Sequence, residues 1–255
     1  MTQSPFDLSG RLALITGSSQ GIGLTLARGL AEAGAAVILN GRNPEKLAAS
    51  ARGLSTEGYT VHTANFDVTD HQKVATAIQQ IEKEIGPLHI LINNAGIQRR
   101  APLEEFDPAD WKELMQTNLD GVFNVSQAVA THMIPRKEGK IINICSVQTF
   151  LARPTIAPYT ASKGALANLT KGMCTDWAQY GLQINGLAPG YFETEITRAL
   201  VDDPEFTAWL ENRTPARRWG KVEELVGAAV FLASSASSFV NGHILTVDGG
   251  ITACL

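Results

Sequence analysis

Tyr159 and Lys163 stand four residues apart in the stretch Tyr-Thr-Ala-Ser-Lys, at the start of an Ala-rich run that reads as a helix. On a helix that spacing puts both side chains on one face, one turn apart. A free phenol, with a pKa near ~10, is a poor proton donor or acceptor at neutral pH. An ammonium alongside favours the phenolate and draws the phenol toward the working range. Ser146, which follows the apolar run Lys140-Ile-Ile-Asn-Ile-Cys145, can meet the same substrate oxygen from the other side. Together the three side chains can move a proton at a carbonyl or an alcohol. The spacing alone equally describes a half-buried tyrosine beside a solvated lysine stem, so the elements around it must decide.

Those elements alternate. Arg11 to Thr16 is a short apolar strand, followed at once by Gly17-Ser-Ser-Gln-Gly-Ile-Gly23 and then by helical periodicity from Leu24 to Ala33. Strand, glycine-rich turn and helix in that order aim a helix amino terminus at a phosphate, and the glycines let the phosphate approach the backbone. The same glycines also suit a plain tight turn, and the spacing is Gly-x-x-x-Gly-x-Gly, not the more common Gly-x-Gly-x-x-Gly. Further strands are expected at 36–40, 59–65, 88–92, 140–145, 183–188 and 243–247. Helices are expected at 44–57, at 70–85 with Thr69 or Asp70 as the cap, through 108–134, from about Tyr159 to Tyr180, over 201–218 and at 222–232. Asn118 is a polar residue in the mostly apolar third of these, where a satisfied amide is the simplest reading. No linker, repeat or low-complexity segment interrupts the alternation. It predicts an α/β fold, a single Rossmann-type, doubly wound parallel sheet with right-handed crossovers and helices on both faces. Ligands of such sheets bind beyond the carboxyl ends of the strands. Gly17 to Gly23, Arg42, Asp67, Asn93 to Gly96, Ser146 and Pro189-Gly190 all fall there.

The end of the second strand bears on the cofactor. Sheets that bind NAD tend to carry an acidic residue there for the ribose 2′-hydroxyl, whereas an arginine accommodates a 2′-phosphate. This strand, Ala36-Val-Ile-Leu-Asn40, runs into Gly41-Arg42-Asn43 with no carboxylate, which points to NADP. A solvated arginine at a loop start is the competing reading.

Composition narrows the field. The 255 residues fit one large domain, 1–255, better than two small ones, and 44% hydrophobic with 18% charged residues is an ordinary globular balance. A net charge of -4 without a basic run argues against nucleic acid as a partner. The opening MTQSPFDLSGR lacks a basic segment followed by an apolar one, and no apolar run approaches the ~18 residues of a membrane span. Cys145, Cys174 and Cys254 are few and widely spaced, so neither a disulfide framework nor a metal site is expected, and a reducing cytoplasm is. Cys145 reads as a small buried strand residue facing away from Ser146.

Thr16-Gly-x-x-x-Gly-x-Gly23, Asn93-Asn-Ala-Gly96, Ser146, Tyr159-x-x-x-Lys163 and Pro189-Gly190 together resemble the short-chain dehydrogenase/reductase family over the whole chain. The resemblance implies a catalytic set of Asn118, Ser146, Tyr159 and Lys163, with Asn118 anchoring a water-linked proton path to the lysine. It implies NADP held by Gly17, Ser19, Gln20, Gly21, Ile22 and Gly23, with Arg42 at the 2′-phosphate and Asp67 and Val68 at the adenine. Asn94, Ala95 and Gly96 would line its path, Tyr159 and Lys163 the nicotinamide ribose, and Pro189, Gly190 and Thr194 the nicotinamide. It also implies a homo-oligomer, with a tetramer expected and contact surfaces on the two long helices and on Val247 to Leu255. A closer likeness, carried by 93–100, 142–146, 188–192, 206–210 and 213–215, implies a keto-sugar acid as the small-molecule substrate.

A sugar acid carries a carboxylate, which arginine clamps with two parallel hydrogen bonds. Arg99, Arg100 and Arg153 lie in loops near the expected pocket, where they serve equally well as surface ion pairs. Ser146, Gln148 and Tyr191 can serve substrate oxygens. Two rivals share these residues: a reductase of another carbonyl, such as a 3-oxoacyl thioester or a polyol, and a protein that senses NADP(H) without turnover. The complete serine, tyrosine and lysine set argues against the second.

Overall fold

A computed structural model describes residues 4–195 and 197–254; residues 1–3, Ile196 and Leu255, which the expectations above for the amino terminus and the last contact segment include, lie outside the described residues. Seven parallel strands form one sheet in the order β3-β2-β1-β4-β5-β6-β7. They are β1 (Leu12–Ile15), β2 (Ala36–Asn40), β3 (Val61–Ala64), β4 (Ile90–Asn93), β5 (Gly139–Ile144), β6 (Leu182–Pro189) and β7 (Ile244–Val247). The chain winds outward from β1 to β3, returns to β4 beside β1, and winds the other way to β7. The reversal between β1 and β4 opens the crevice in which such sheets bind ligands.

The central strands are apolar almost throughout because both of their faces are covered. Alternate residues serve opposite layers: Ala13 and Ile15 of β1 join one core with Val37, Leu39 and Ile142, whereas Leu12 and Leu14 join another with Ile38 and Ile141. The first core is closed by α1 (Gly21–Glu32), α2 (Pro44–Thr56) and α9 (Val226–Ala233), through Leu26, Leu30, Leu47, Leu54, Ala229 and Leu232. The second is closed by α3 (His71–Glu84), α5 (Gly121–Arg136) and α6 (Ala157–Trp177), through Val74, Ile78, Val125, Val129, Leu166 and Met173. Two helix starts are fixed by their caps: Asn43 accepts from Lys46 N at 2.9 Å, and Asp70 from Lys73 N at 3.1 Å.

The helical region expected over 108–134 is not continuous. It comprises α4 (Pro108–Met115), a π turn at Gln116–Asp120, and α5. The extra residue that a π turn inserts re-aims the side chains around it. Here Gly121 presses on Val68, with a Cβ at that position falling 2.6 Å from Val68 Cγ2.

A buried polar chain crosses the second layer. Asn93 and Asn143 are registered opposite one another on β4 and β5. Asn93 Nδ2 donates to Asn143 Oδ1 at 2.9 Å and to Ser126 Oγ of α5 at 2.9 Å, and Asn143 Nδ2 donates to Thr170 Oγ1 of α6 at 2.9 Å. The same sheet centre and both long helices are thereby joined by directional bonds as well as by packing.

At the opposite end of β5, Lys140 is half-buried and donates to Ser237 Oγ at 3.2 Å. Burial, with Arg11 nearby, pushes its amine down to about 8. A base whose pKa falls on folding leaves the unfolded chain with more bound protons between that value and the ordinary lysine range, so stability rises with pH there. The cost is present in full below about pH 8. Lys140→Met is expected to stabilise the protein at pH 7 by about 1–2 kcal/mol, discounted because the amine still reaches water, and this gain should shrink as pH rises to 10. Denaturant unfolding of both proteins across that range checks it.

Candidate active site

β1 ends in the glycine-rich loop, which is tied down from both sides. Ser18 N donates to Asn40 O at 2.8 Å, and Asn40 N to Ser18 Oγ at 3.0 Å. From β4, Asn94 N and Ala95 N both donate to Thr16 Oγ1 at 3.0 Å, while Asn94 Nδ2 donates to Thr16 O at 3.0 Å and Gly17 O at 2.9 Å. Gly17 has φ +61°, and a Cβ there would sit 2.8 Å from Ala95 Cα. Gly21 (φ +57°) opens α1. The helix thus begins inside the glycine run, earlier than periodicity indicated, and Gly21, Ile22 and Gly23 form its first turn. Its free N–H groups and dipole face the crevice, the arrangement that suits a diphosphate.

Ser19 lies beside Gly41 at the end of β2: a Cβ built on Gly41 would be 3.4 Å from Ser19 Oγ. Arg42 follows, 69% exposed at its side chain, with Nη1 3.7 Å from Asp67 Oδ2. Asp67 is itself anchored, accepting from Thr69 N at 2.9 Å and Thr69 Oγ1 at 2.8 Å. A long, exposed contact costs little to give up, so the guanidinium is free to turn to a phosphate. The glycine cradle, the hydroxyl of Ser19 and this cation fit a dinucleotide with a 2′-phosphate. Val68 is buried and gives its carbonyl to Asn124 Nδ2 at 3.0 Å. Across the crevice, Gly190 packs on Asp248, where a Cβ would meet Asp248 Cα at 2.7 Å, and Thr194 exchanges hydrogen bonds with Thr197.

Ser146 follows β5 and caps a single 3-10 turn, Val147–Thr149, accepting from Gln148 N at 3.2 Å. Tyr159 and Lys163 occupy the first two turns of α6, as their spacing predicts. Tyr159 is half-buried, whereas Lys163 is only 5% exposed. Lys163 Nζ lies 5.6 Å from the Tyr159 ring centroid and donates to Ile144 O at 2.6 Å, which pins it to the strand that delivers Ser146. Cys145, between them, turns into the second core, and burial pushes its thiol up to about 11.

Asn118 is 1% exposed and fully engaged by its side chain. Oδ1 accepts from Ile97 N at 2.8 Å, and Nδ2 donates to Ile97 O at 2.9 Å and Ser162 Oγ at 3.2 Å. Ser162 Oγ in turn donates to Tyr159 O at 2.8 Å. Asn118 therefore couples the loop after Gly96 to the turn that carries Tyr159. A water-linked path to Lys163 would have to use its backbone.

The three arginines separate. Arg99 turns to α4, with Nη2 2.7 Å from Glu113 Oε2 and Nε 3.5 Å from Asp110 Oδ1. Arg100 and Arg153 have no such partner among the described residues. Burial and the neighbouring Arg153 guanidinium push Arg100 below the usual arginine range. Arg153 stands over the Phe206 ring, 5.4 Å from its centroid. Their loops are joined by Ala101 N donating to Thr155 O at 3.2 Å. Tyr191 faces both cations; burial pushes its phenol up, against the pull of Arg153 and then Arg100. Its ring packs edge-on to Trp219 at 5.9 Å and tilted to Phe206 at 5.7 Å. These aromatics come from the 191–219 excursion, which contains α7 (Arg198–Val201) and α8 (Pro204–Arg213).

The sequence did not single out Ser18 and Asn40 as site-builders, and Thr16 entered only as the first residue of the glycine motif. Asn40, an amide ending an apolar strand, was the available signal.

A family model for short chain dehydrogenase matches residues 11–205. The chain is 67% identical to the gluconate 5-dehydrogenase of Gluconobacter oxydans, over 98% of each protein. It is 54% identical to the 5-keto-D-gluconate 5-reductase of Escherichia coli K12, over 96% of this chain and 97% of that one. Among solved structures, a gluconate 5-dehydrogenase from Burkholderia cenocepacia J2315 in complex with NADP and tartrate matches with a TM-score of 0.97 and 66% identity, over 98% of each chain.

Proposed function

The chain belongs to the short-chain dehydrogenase family and is an oxidoreductase; from that premise we propose that it interconverts 5-keto-D-gluconate and D-gluconate with NADP as the cofactor. The observation that carries the substrate is the pair Arg100 and Arg153, neither of which has an acidic partner among the described residues, with Arg153 over the Phe206 ring. Two guanidinium groups without an acidic partner suit a carboxylate at the far end of a short substrate. The names of the relatives, and the tartrate of the Burkholderia structure, agree with an acid of this size.

In the reductive direction Tyr159 gives its phenolic proton to the ketone oxygen at C5. Ser146 donates a hydrogen bond to that oxygen as charge grows on it, a placed dipole that needs no reorganisation. The ammonium of Lys163, held by Ile144 O, stabilises negative charge on the phenol oxygen once the proton has left. Asn118 keeps the Ile97 loop and the Tyr159 turn in register. When bound across the glycine loop, NADPH supplies the hydride, and the protein supplies orientation and proton traffic. Ser19 and Arg42 would hold its 2′-phosphate, with Asp67 and Val68 beside the adenine and Asn94, Ala95, Gly96, Pro189, Gly190 and Thr194 along its length.

We also place the protein in the cytoplasm, in keeping with its unpaired cysteines, as one domain that assembles into a homotetramer. Among the described residues no helix is long and apolar enough to cross a membrane. Trp111 of α4 and Phe123 of α5 are 42% and 45% exposed, and Gly172 of α6 faces open space, which suits helix packing between copies.

The test is the loss of NADPH absorbance on 5-keto-D-gluconate, with NADH in parallel. Rapid oxidation of NADPH is expected, at least tenfold faster than of NADH, and Arg42→Ala should narrow that preference by about 10–100-fold, the worth of a charged hydrogen bond. A folded protein that binds NADPH and oxidises neither cofactor would overturn the substrate assignment.

A further inference from the structure

We propose that Gln148 recognises a hydroxyl on a carbon flanking the reacting ketone, and so restricts the enzyme to α-hydroxy ketones. The inference rests on the sugar-acid reading above and specifies which feature of that substrate is read beside the reaction centre.

Gln148 is 6% exposed and lies in the turn that Ser146 caps, its own N–H donating to Ser146 Oγ at 3.2 Å. Its amide nitrogen reaches Tyr191 Oη at 3.4 Å, while its amide oxygen is buried without a hydrogen-bond partner. Rotating the amide by half a turn does not resolve this. The oxygen would then accept from the Tyr191 hydroxyl, and the nitrogen would be left alone instead. An orphaned buried amide atom destabilises the free protein. Core packing does not require one here, because Met fills the same length without a polar atom.

The neighbourhood explains what the amide meets. Its partner Tyr191 packs on Phe206 and Trp219, which add only ring carbon, and is faced by Arg153 and Arg100, which offer donors only. Burial keeps Tyr191 protonated, so its hydroxyl both donates and accepts. Gln148 is thus the neutral acceptor two residues beyond the hydroxyl that addresses the ketone oxygen. Its terminal torsion is soft, so a substrate hydroxyl can be met by turning the amide alone. A site built to bond a hydroxyl rejects analogues that lack it far more strongly than a greasy pocket rejects an added one.

The test compares wild type with Gln148→Met on 5-keto-D-gluconate and on 5-oxohexanoate, which keeps the carboxylate and the ketone at the same separation but has no hydroxyls. The variant is expected to lose about 30–100-fold in kcat/KM on the sugar acid while staying within about threefold of wild type on 5-oxohexanoate. NADPH affinity should be unchanged, and the Tm of the ligand-free variant should be equal or higher. Parallel losses on both ketones with a lowered Tm would show a packing role and overturn the proposal, as would an unchanged ratio between the substrates. Wild type that is inactive on 5-keto-D-gluconate would instead overturn the sugar-acid reading, and this inference with it.

Discussion

Tyr159→Phe is expected to lower kcat by about 10³–10⁴-fold while leaving NADPH affinity within a few-fold of wild type. Phenylalanine fills the same half-buried space on the first turn of α6, so the approach of the Lys163 ammonium to the ring face survives. What disappears is the phenolic hydroxyl that would exchange a proton with the substrate. Ser146 remains, but its Oγ accepts from Gln148 N and would act only as a hydrogen-bond donor to the ketone oxygen. Steady-state rates on 5-keto-D-gluconate and a fluorescence titration with NADPH separate the two effects. A variant retaining a tenth of the activity would remove Tyr159 from the proton's path.

The second large effect is expected at Gly23. A Cβ there would fall 2.5 Å from Asn94 Nδ2, 2.6 Å from Gly17 O and 2.9 Å from Ser18 Cα. Asn94 Nδ2 is the atom that clasps Thr16 O and Gly17 O, so Gly23→Ala drives a methyl into the joint between β1 and β4. Neither a turn carbonyl nor a doubly bonded amide can step aside cheaply. Overpacking of this kind costs about 1–3 kcal/mol, and much of it is paid where the diphosphate would lie. Gly23→Ala is therefore expected to weaken NADPH binding by at least about 10–100-fold and to lower Tm by several degrees. Gly21 is the internal comparison: its φ of +57° is strained for alanine, yet a Cβ there meets nothing within 4 Å. Gly21→Ala should be the milder change in both measurements.

The strands, the glycine loop and the Ser146, Tyr159, Lys163 constellation were legible because each is local: a run of apolar residues, a spacing of four, a glycine that only a tight approach requires. What was not legible depends on distant partners. Arg99 and Arg100 are identical neighbours in the chain, and only Asp110 and Glu113 on α4 draw one of them away. The π turn at Gln116–Asp120 has no signature of its own, since those residues read as ordinary helix; it exists because Asn118 must reach Ile97 while Gly121 rides on Val68. Thr16 stands next to the glycine loop in the chain, yet its hydroxyl serves β4, a strand that arrives some seventy-eight residues later. Gln148 reads as a residue that can serve a substrate oxygen, but its burial, with Tyr191 of the 191–219 excursion 3.4 Å from its amide, has no local signal.

The buried amide chain from Ser126 through Asn93 and Asn143 to Thr170 has a consequence for how the protein fails on heating. Directional bonds between groups with no access to water cannot be loosened one at a time, because each broken link strands its partner in an apolar layer. α6 carries Tyr159 and Lys163, and it is fastened by that chain to the strands that lead into Asn94 and Ser146. A partial detachment of α6 that separates Tyr159 and Lys163 from Ser146 but leaves the sheet intact is therefore a high-energy state. Loss of the Tyr159–Lys163 arrangement and melting of the sheet are expected to coincide on heating.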